Sequence, residues 1–224
     1  MHLIETHLHT NHASSCGKLD AQTIAQGYAQ AGYDAVFVTD HYSPYNFGKQ
    51  QWSTSSAEFR LDQFLEGFYR VKEAAEPYGI TVFRGAEMRF TGSPNDYLLY
   101  NYCDEMLLDP QSIFDMGVAA FHKLCQANGA LLIQAHPFRE PCTPADPSAL
   151  DGVEIFNLHP RHDSQNHLAQ AFADANPHLI KISGSDCHQA PDIGRGGIYT
   201  DVFPENEAAF ADILRRGDFR IRTL

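Results

Sequence analysis

The chain of 224 residues is short of basic side chains, of paired cysteines and of long apolar runs. Sixteen Lys and Arg against 28 Asp and Glu leave a formal charge of −12. That balance argues against a broad phosphate-binding surface, and so against extended nucleic acid as a partner. The five cysteines (Cys16, Cys103, Cys125, Cys142, Cys187) are odd in number, scattered and free of any C-x-x-C. A disulfide framework and a zinc ribbon are both excluded by that spacing. No stretch approaches the roughly 18 apolar residues that a membrane span needs. The opening "MHLIETHLH" has neither a basic segment nor the apolar core of a signal peptide. A soluble, cytoplasmic protein without a membrane partner is expected. Neither a G-x-S-x-G nucleophile elbow nor a G-x-x-x-x-G-K-[ST] nucleotide loop is present.

What the chain does have is 43% apolar residues, enough for one full-sized core, and 12 histidines, more than packing or a surface requires. Apolar runs alternate with amphipathic stretches from end to end. Strands are expected at "LIETHL", "DAVFVTDH", "ITVFRGAEM", "DYLLY", "ALLIQAH", "GVEIFN", "LIKISGSD" and "GIYTDVF". Helices are expected at "LDAQTIAQGYAQAG", Ala57 to Tyr78, Gln111 to Asn128, "DSQNHLAQAFADA" and "NEAAFADILRRG". A loop rich in Ser, Tyr and Gly fills Tyr42 to Ser56. The strands read as apolar on both faces, as parallel strands covered by helices do. Repeating βα units point to an α/β barrel or a doubly wound sheet, in one domain spanning residues 1–224.

The residues that interrupt the apolar pattern stand at the C-terminal ends of the strands. They are His7 and His9, Asp40 and His41 ("TDH"), Glu87 ("GAEM"), His136 ("QAHP"), and Asp186 and His188 ("SDCH"). In a strand, positions i and i+2 share a side, so His7 and His9 aim at one point. One such residue alone would read as a turn former or a packed histidine. Five strand ends carrying only imidazole and carboxylate point instead to divalent zinc, manganese or iron, which take mixed N and O ligands. In an α/β barrel these ends converge on one face.

The set "ETHLHT", "TDH", "GAEM", "QAHP" and "GSDCH", in this order, resembles the PHP (polymerase and histidinol phosphatase) family of metal-dependent phosphoesterases along essentially the whole chain. The resemblance implies a distorted (β/α)7 TIM-like barrel with two or three divalent ions. It assigns His7, His9, Glu87 and Asp186 to one ion, and makes Glu87 a bridge to a second ion held with His136. His41 and His188 go to a third ion, with a ligand from the loop after the first strand. That loop, "TNHASSC", offers His12 or Cys16. The family's further histidine for the second ion is missing, and "DYLLYN" supplies Tyr100 and Asn101 in its place. His159 is an alternative for that role, while His122 lies in a helix and reads as packing. Glu5, on the strand face of His7 and His9, is placed to orient an imidazole. His2, His162, His167 and His178 read as solvated.

The expected chemistry is hydrolysis of a small phosphomonoester by a metal-activated water, similar to histidinol-phosphatase. Asp186 or His188 would relay a proton beside the bridging Glu87. Arg139 ("HPFR"), Arg89 ("EMRF") and Arg195 ("DIGRGG") are the cations expected to grip phosphate. A nucleotide phosphodiesterase or exonuclease is the alternative, with Tyr42, Tyr45, Phe47 and Trp52 offering rings for a base. A metal-dependent C–N hydrolase is another, although Lys123 and Lys181 stand at no strand end. A non-catalytic module would be expected to have lost ligands that here stand intact.

Overall fold

In a computed structural model that describes residues 1–50, 52 and 56–223, the chain begins with strand β1 (His2–Leu8), helix α1 (Ala21–Gln30) and strand β2 (Ala35–Val38). A two-residue strand β3 (His41–Tyr42) leads into the short helix α2 (Pro44–Lys49) and the long α3 (Ala57–Ala75). The expected loop from Tyr42 to Ser56 therefore holds a helix in its first half, and its residues 51 and 53–55 lie outside the described part. Strands β4 (Thr81–Arg89) and β5 (Asp96–Tyr100) follow, then α4 (Pro110–Met116) and α5 (Val118–Asn128). The helix expected across 111–128 is two helices, because Gly117 takes a φ of 75° and ψ of 162° that no helix accommodates. Strands β6 (Leu131–Gln134) and β7 (Gly152–Asn157), helix α6 (Asn166–Ala175) and strand β8 (Ile180–Gly184) come next. The chain closes with β9 (Ile198–Thr200), α7 (Glu207–Arg216) and an unforeseen β10 (Phe219–Ile221).

Asp20, Ser56 and Asn206 accept hydrogen bonds from backbone N–H groups in the first turns of α1, α3 and α7, which fixes where those helices start. The strands form one curved sheet in the order β10-β9-β1-β2-β4-β5-β6-β7-β8, with β3 beside β4. The β1–β2, β2–β4, β6–β7 and β7–β8 pairs are parallel. By contrast, β5 runs antiparallel to both neighbours, and β9 and β10 pair antiparallel at the β1 edge. The all-parallel expectation fails there because the connection from β4 to β5 is only six residues, too short for a parallel crossover. Around the β1 and β8 ends, the His9 N–H donates to the Cys187 carbonyl (2.9 Å) and the Cys187 N–H to the His7 carbonyl (3.1 Å). These bonds nearly close the sheet into a distorted single-domain barrel. The barrel interior is plugged by Ile4, Phe37, Phe83, Tyr100, Ile133 and Ile182, against which α7 lays Phe210 and Leu214. Each large buried side chain there contributes about 1.5–3 kcal/mol. That packing anchors the strand ends that carry the polar residues.

Candidate metal centre

His7 and His9 leave the end of β1 completely buried. The His7 Nδ1 faces a carboxylate oxygen of Glu154 on β7 at 3.0 Å, and His9 Nδ1 faces the Ser14 hydroxyl at 3.3 Å. With Nδ1–H donating outward on both rings, each Nε2 presents a lone pair inward. The two Nε2 atoms are 3.1 Å apart. Glu87 on β4 approaches His7 Nε2 through one oxygen and His9 Nε2 through the other, each at 3.3 Å. One Asp186 oxygen is 3.4 Å from both rings. A tetrahedron of ligands about 2.0 Å from a central ion has edges of about 3.3 Å. Two imidazoles, neutral and with Nε2 turned inward, and two carboxylates at that spacing fit a divalent cation.

The electrostatics agree. Burial presses His7 towards neutrality, yet Asp186, Glu154 and Glu87 overcome it and raise its pKa well above the ordinary value. Burial, with His188 and His41 nearby, drives His9 well below its ordinary value. Glu87 and Asp186 are held far below the usual carboxylate range despite burial, by the imidazoles around them and, for Asp186, by Arg139 as well. The carboxylates draw positive charge into the centre. A proton on His7 can supply it; a divalent ion would answer all four ligands at once. Glu87 Oε2 is buried with no aligned hydrogen bond, although His41 Nδ1 lies 2.8 Å away.

Two further groups flank this point, as a multinuclear site requires. On one side His9, His41 and His188 bring ring nitrogens together, with His9 4.4 Å from the His41 ring and 4.3 Å from that of His188. On the other, His136 Nε2 lies 3.1 Å from Glu87 Oε1, and Asp96 and Cys142 complete a second cluster. His136 and Asp186 hold positive φ values of 29° and 49°. Non-glycine residues keep such backbones only where surrounding structure enforces them. The cavity over these residues has a volume of about 380 Å³. A larger external cleft of about 780 Å³, beside α3 and Glu205 to Glu207, has no histidine among its described lining residues.

Several expectations need correction. His12 does not line the cavity over the centre, whereas Cys16 does, together with His41 and His188. Glu5 orients no imidazole; it accepts the N–H groups of Thr6, His7 and Ser185 and the Tyr28 hydroxyl. Glu154 holds His7 instead, and also accepts the His136 N–H at 3.0 Å. Its signal was a lone acid inside the apolar run "GVEIFN". Arg195 does not line the cavity, since its Nε donates to the Leu158 carbonyl. Arg139 and Arg89 do line it, but both are engaged. Arg139 donates to Asp186 at 2.7 Å and to Asn157 and Ser164, and Arg89 grips Asp96, with Nε to Oδ1 at 2.7 Å.

Arg161, missed in the sequence, also lines the cavity and pairs with buried Asp192, which in turn accepts the N–H groups of His188 and Gln189. His159 and His162, their rings 4.6 Å apart, sit on the same rim, His159 buried and His162 exposed as expected. His159 contacts Arg161, and burial lowers its pKa to about 4. Tyr100 and Asn101 face elsewhere, donating to the Thr6 and Gly129 carbonyls. His122 pairs with Asp151, away from the centre. Tyr42, Phe47 and Trp52 are core residues, and of the proposed aromatic group only Tyr45 is exposed.

Comparison with known proteins agrees with this geometry. Residues 163–219 match the family model described as PHP-associated, a stretch that includes Asp186 and His188. No curated protein matches the chain at a significant level. Among solved structures, a two-domain protein from Bacteroides vulgatus containing a predicted PHP-like metal-dependent phosphoesterase superposes with a TM-score of 0.70 at 16% identity. It matches 99% of this chain, which spans 64% of that protein's length. PsfC from Pseudomonas syringae gives 0.71 at 16% identity, over 100% of this chain and 91% of that one. A metal-dependent phosphoesterase assignment accompanies a Bifidobacterium adolescentis structure at 0.58 and 14% identity, over 95% and 96% of the two chains. Such identities speak to fold. The chain has the fold of the PHP-like metal-dependent phosphoesterases, a nearly closed, distorted α/β barrel with clustered His, Glu and Asp groups suited to a multinuclear metal site.

Proposed function

We propose that this protein is a metal-dependent phosphoesterase that hydrolyses a small phosphomonoester at a di- or trinuclear centre of zinc, manganese or iron. The observation that carries the reading is the ring of His7, His9, Glu87 and Asp186 at metal-ligand spacing, flanked by two further ligand groups. Bound divalent ions would lower the pKa of a coordinated water towards neutrality and offset charge on the phosphoryl oxygens. Glu87 would set the spacing between two ions. Asp186 turns one oxygen to the centre and the other to Arg139, so a proton passing through it would be tuned by that guanidinium. The His188 Nδ1 donates to the Asp186 carbonyl at 2.9 Å, which leaves its Nε2 for the centre. Arg139 would act in two ways, aligning Asp186 and presenting its remaining N–H to a phosphate oxygen in the cavity.

The cavity, about 380 Å³, suits a small substrate. The nucleotide reading keeps only Tyr45 of the four rings it relied on, because Tyr42, Phe47 and Trp52 are buried. The C–N hydrolase reading has no bridging lysine to call on, since Lys181 pairs with Asp174 and no described lysine lines the cavity. The test is a screen of metal-reconstituted protein against phosphomonoesters, phosphodiesters and amides. Phosphomonoester turnover that EDTA abolishes and metal restores is expected. Turnover of diesters or amides alone would overturn the proposal.

A further inference from the structure

The loop between β1 and α1 is built around one residue. Thr10 donates its N–H and hydroxyl to buried Asp40 at 2.7 and 2.8 Å, and Ser14 adds its hydroxyl at 2.6 Å. The Ser14 oxygen then accepts the His41 N–H at 2.9 Å. The Ser15 N–H donates to the Asn46 side chain (2.9 Å), whose amide donates to the Ala13 and His41 carbonyls. Two residues past Cys16, the Lys18 N–H donates to the His188 carbonyl at 2.9 Å. Cys16 is thus pinned on one side to the His41 segment and on the other to the His188 segment. Gly17 lets the loop close, since a Cβ there would lie 2.1 Å from the Thr10 carbonyl oxygen. Cys16 consequently stands on the wall of the cavity together with His41 and His188. Among the described cysteines none is in a disulfide.

We infer that Cys16 is a thiolate ligand, completing with His41 and His188 a sulfur-containing ion site on this flank of the centre. The inference rests on the metal-centre reading above. On binding, the thiol proton leaves to solvent and sulfur donates directly to the ion, at about 2.3 Å for zinc. A thiolate is a soft donor, so this flank selects zinc or iron over magnesium or manganese, whereas the His and carboxylate set at Glu87 discriminates less. The loop also explains the choice between the two residues offered by the sequence. His12 is carried outward on the same turn whose hydrogen bonds aim Cys16 inward.

Cobalt(II) reconstitution reads this without any substrate, because thiolate coordination adds near-ultraviolet charge-transfer absorption that N and O ligands do not give. Wild-type protein loaded with cobalt should show that band. Cys16→Ser should lose it and bind cobalt on this flank at least tenfold more weakly. Cys16→Asp should recover the cobalt stoichiometry without the band, and Cys142→Ser should keep the band. In zinc and manganese competition, Cys16→Asp should retain at least tenfold more manganese than wild type. A fully loaded wild type with no band, or a band that survives Cys16→Ser, would overturn the inference and leave the metal centre standing. Failure of the wild type to bind cobalt or zinc at all would remove both.

Discussion

The two flanks of the centre share Glu87 and differ in almost everything else. On the Cys16 side, the donors are imidazoles and a thiol held by backbone hydrogen bonds from a short loop, and no arginine among the described residues pairs with them. On the His136 side the carboxylate of Asp96 is already gripped by Arg89, and Cys142 Sγ packs 3.7 Å from His136 Nδ1. A carboxylate neutralised by a guanidinium is a weaker anchor for a cation, because the metal must compete with a charge-assisted hydrogen-bonded pair. The comparison teaches that ligand count alone does not rank sites. What each ligand is already bonded to does.

The largest effect should come from removing what the flanks share. Glu87→Ala is expected to lower metal content on both sides and to cut kcat/KM for a phosphomonoester more than a hundredfold, a loss of about 2.7 kcal/mol in transition-state stabilisation. Elemental analysis beside kinetics checks it, and unchanged metal content would break the comparison at its root. Next is Glu154→Gln. Its carboxylate fixes His7 Nδ1 and braces the His136 backbone, so metal affinity should fall about 10–100-fold while the fold, followed by circular dichroism, is kept.

Arg139→Lys should lower kcat/KM at least tenfold, about 1.4 kcal/mol, because a lysine cannot serve Asp186, Asn157 and Ser164 together as the planar fork does. Equal activity of the two proteins would show that the fork matters only on the surface. Arg89→Gln acts in the opposite direction on the His136 flank. Freed of its partner, Asp96 should tighten metal binding there by a few-fold, seen in titration calorimetry, and a weakened site would mean that Arg89 positions Asp96 for the metal rather than competing with it.

The smallest effect is in pH. Burial pushes the Cys16 thiol up, but His188 and His41 outweigh that and bring it down to about 6. In metal-free protein its alkylation rate should rise with pH through a limb near 6 and be flat above neutrality, where an ordinary thiol, with a pKa of about 8.5, is still gaining thiolate. A limb near 8.5 would erase the contrast between the flanks.

The order of strands and helices was legible because apolar periodicity records which faces are covered. The five strand-end motifs were legible because a polar residue ending an apolar strand is conspicuous. Less could be read where the signal is a single residue in a plausible place. Asp96 reads only as the first residue of the strand "DYLLY", and the antiparallel turn of β4 into β5 brings it beside His136. The acid in "GVEIFN" marks a buried charge, but nothing local says that its partner is His7, 147 residues away.

By itself, then, the sequence determined the ligand chemistry: histidine and carboxylate at the ends of successive strands, with no serine elbow or nucleotide loop as a competing device. Tertiary structure alone decided which of those groups meet and which are already engaged. It set Cys16 and not His12 on the cavity wall, gave the His7 ring Glu154 rather than Glu5 as its partner, and bound Arg139 and Arg89 to Asp186 and Asp96. The reason is physical. Side-chain chemistry is a property of each residue, whereas a charge's effective strength depends on neighbours that only closure of the barrel brings within a few ångströms.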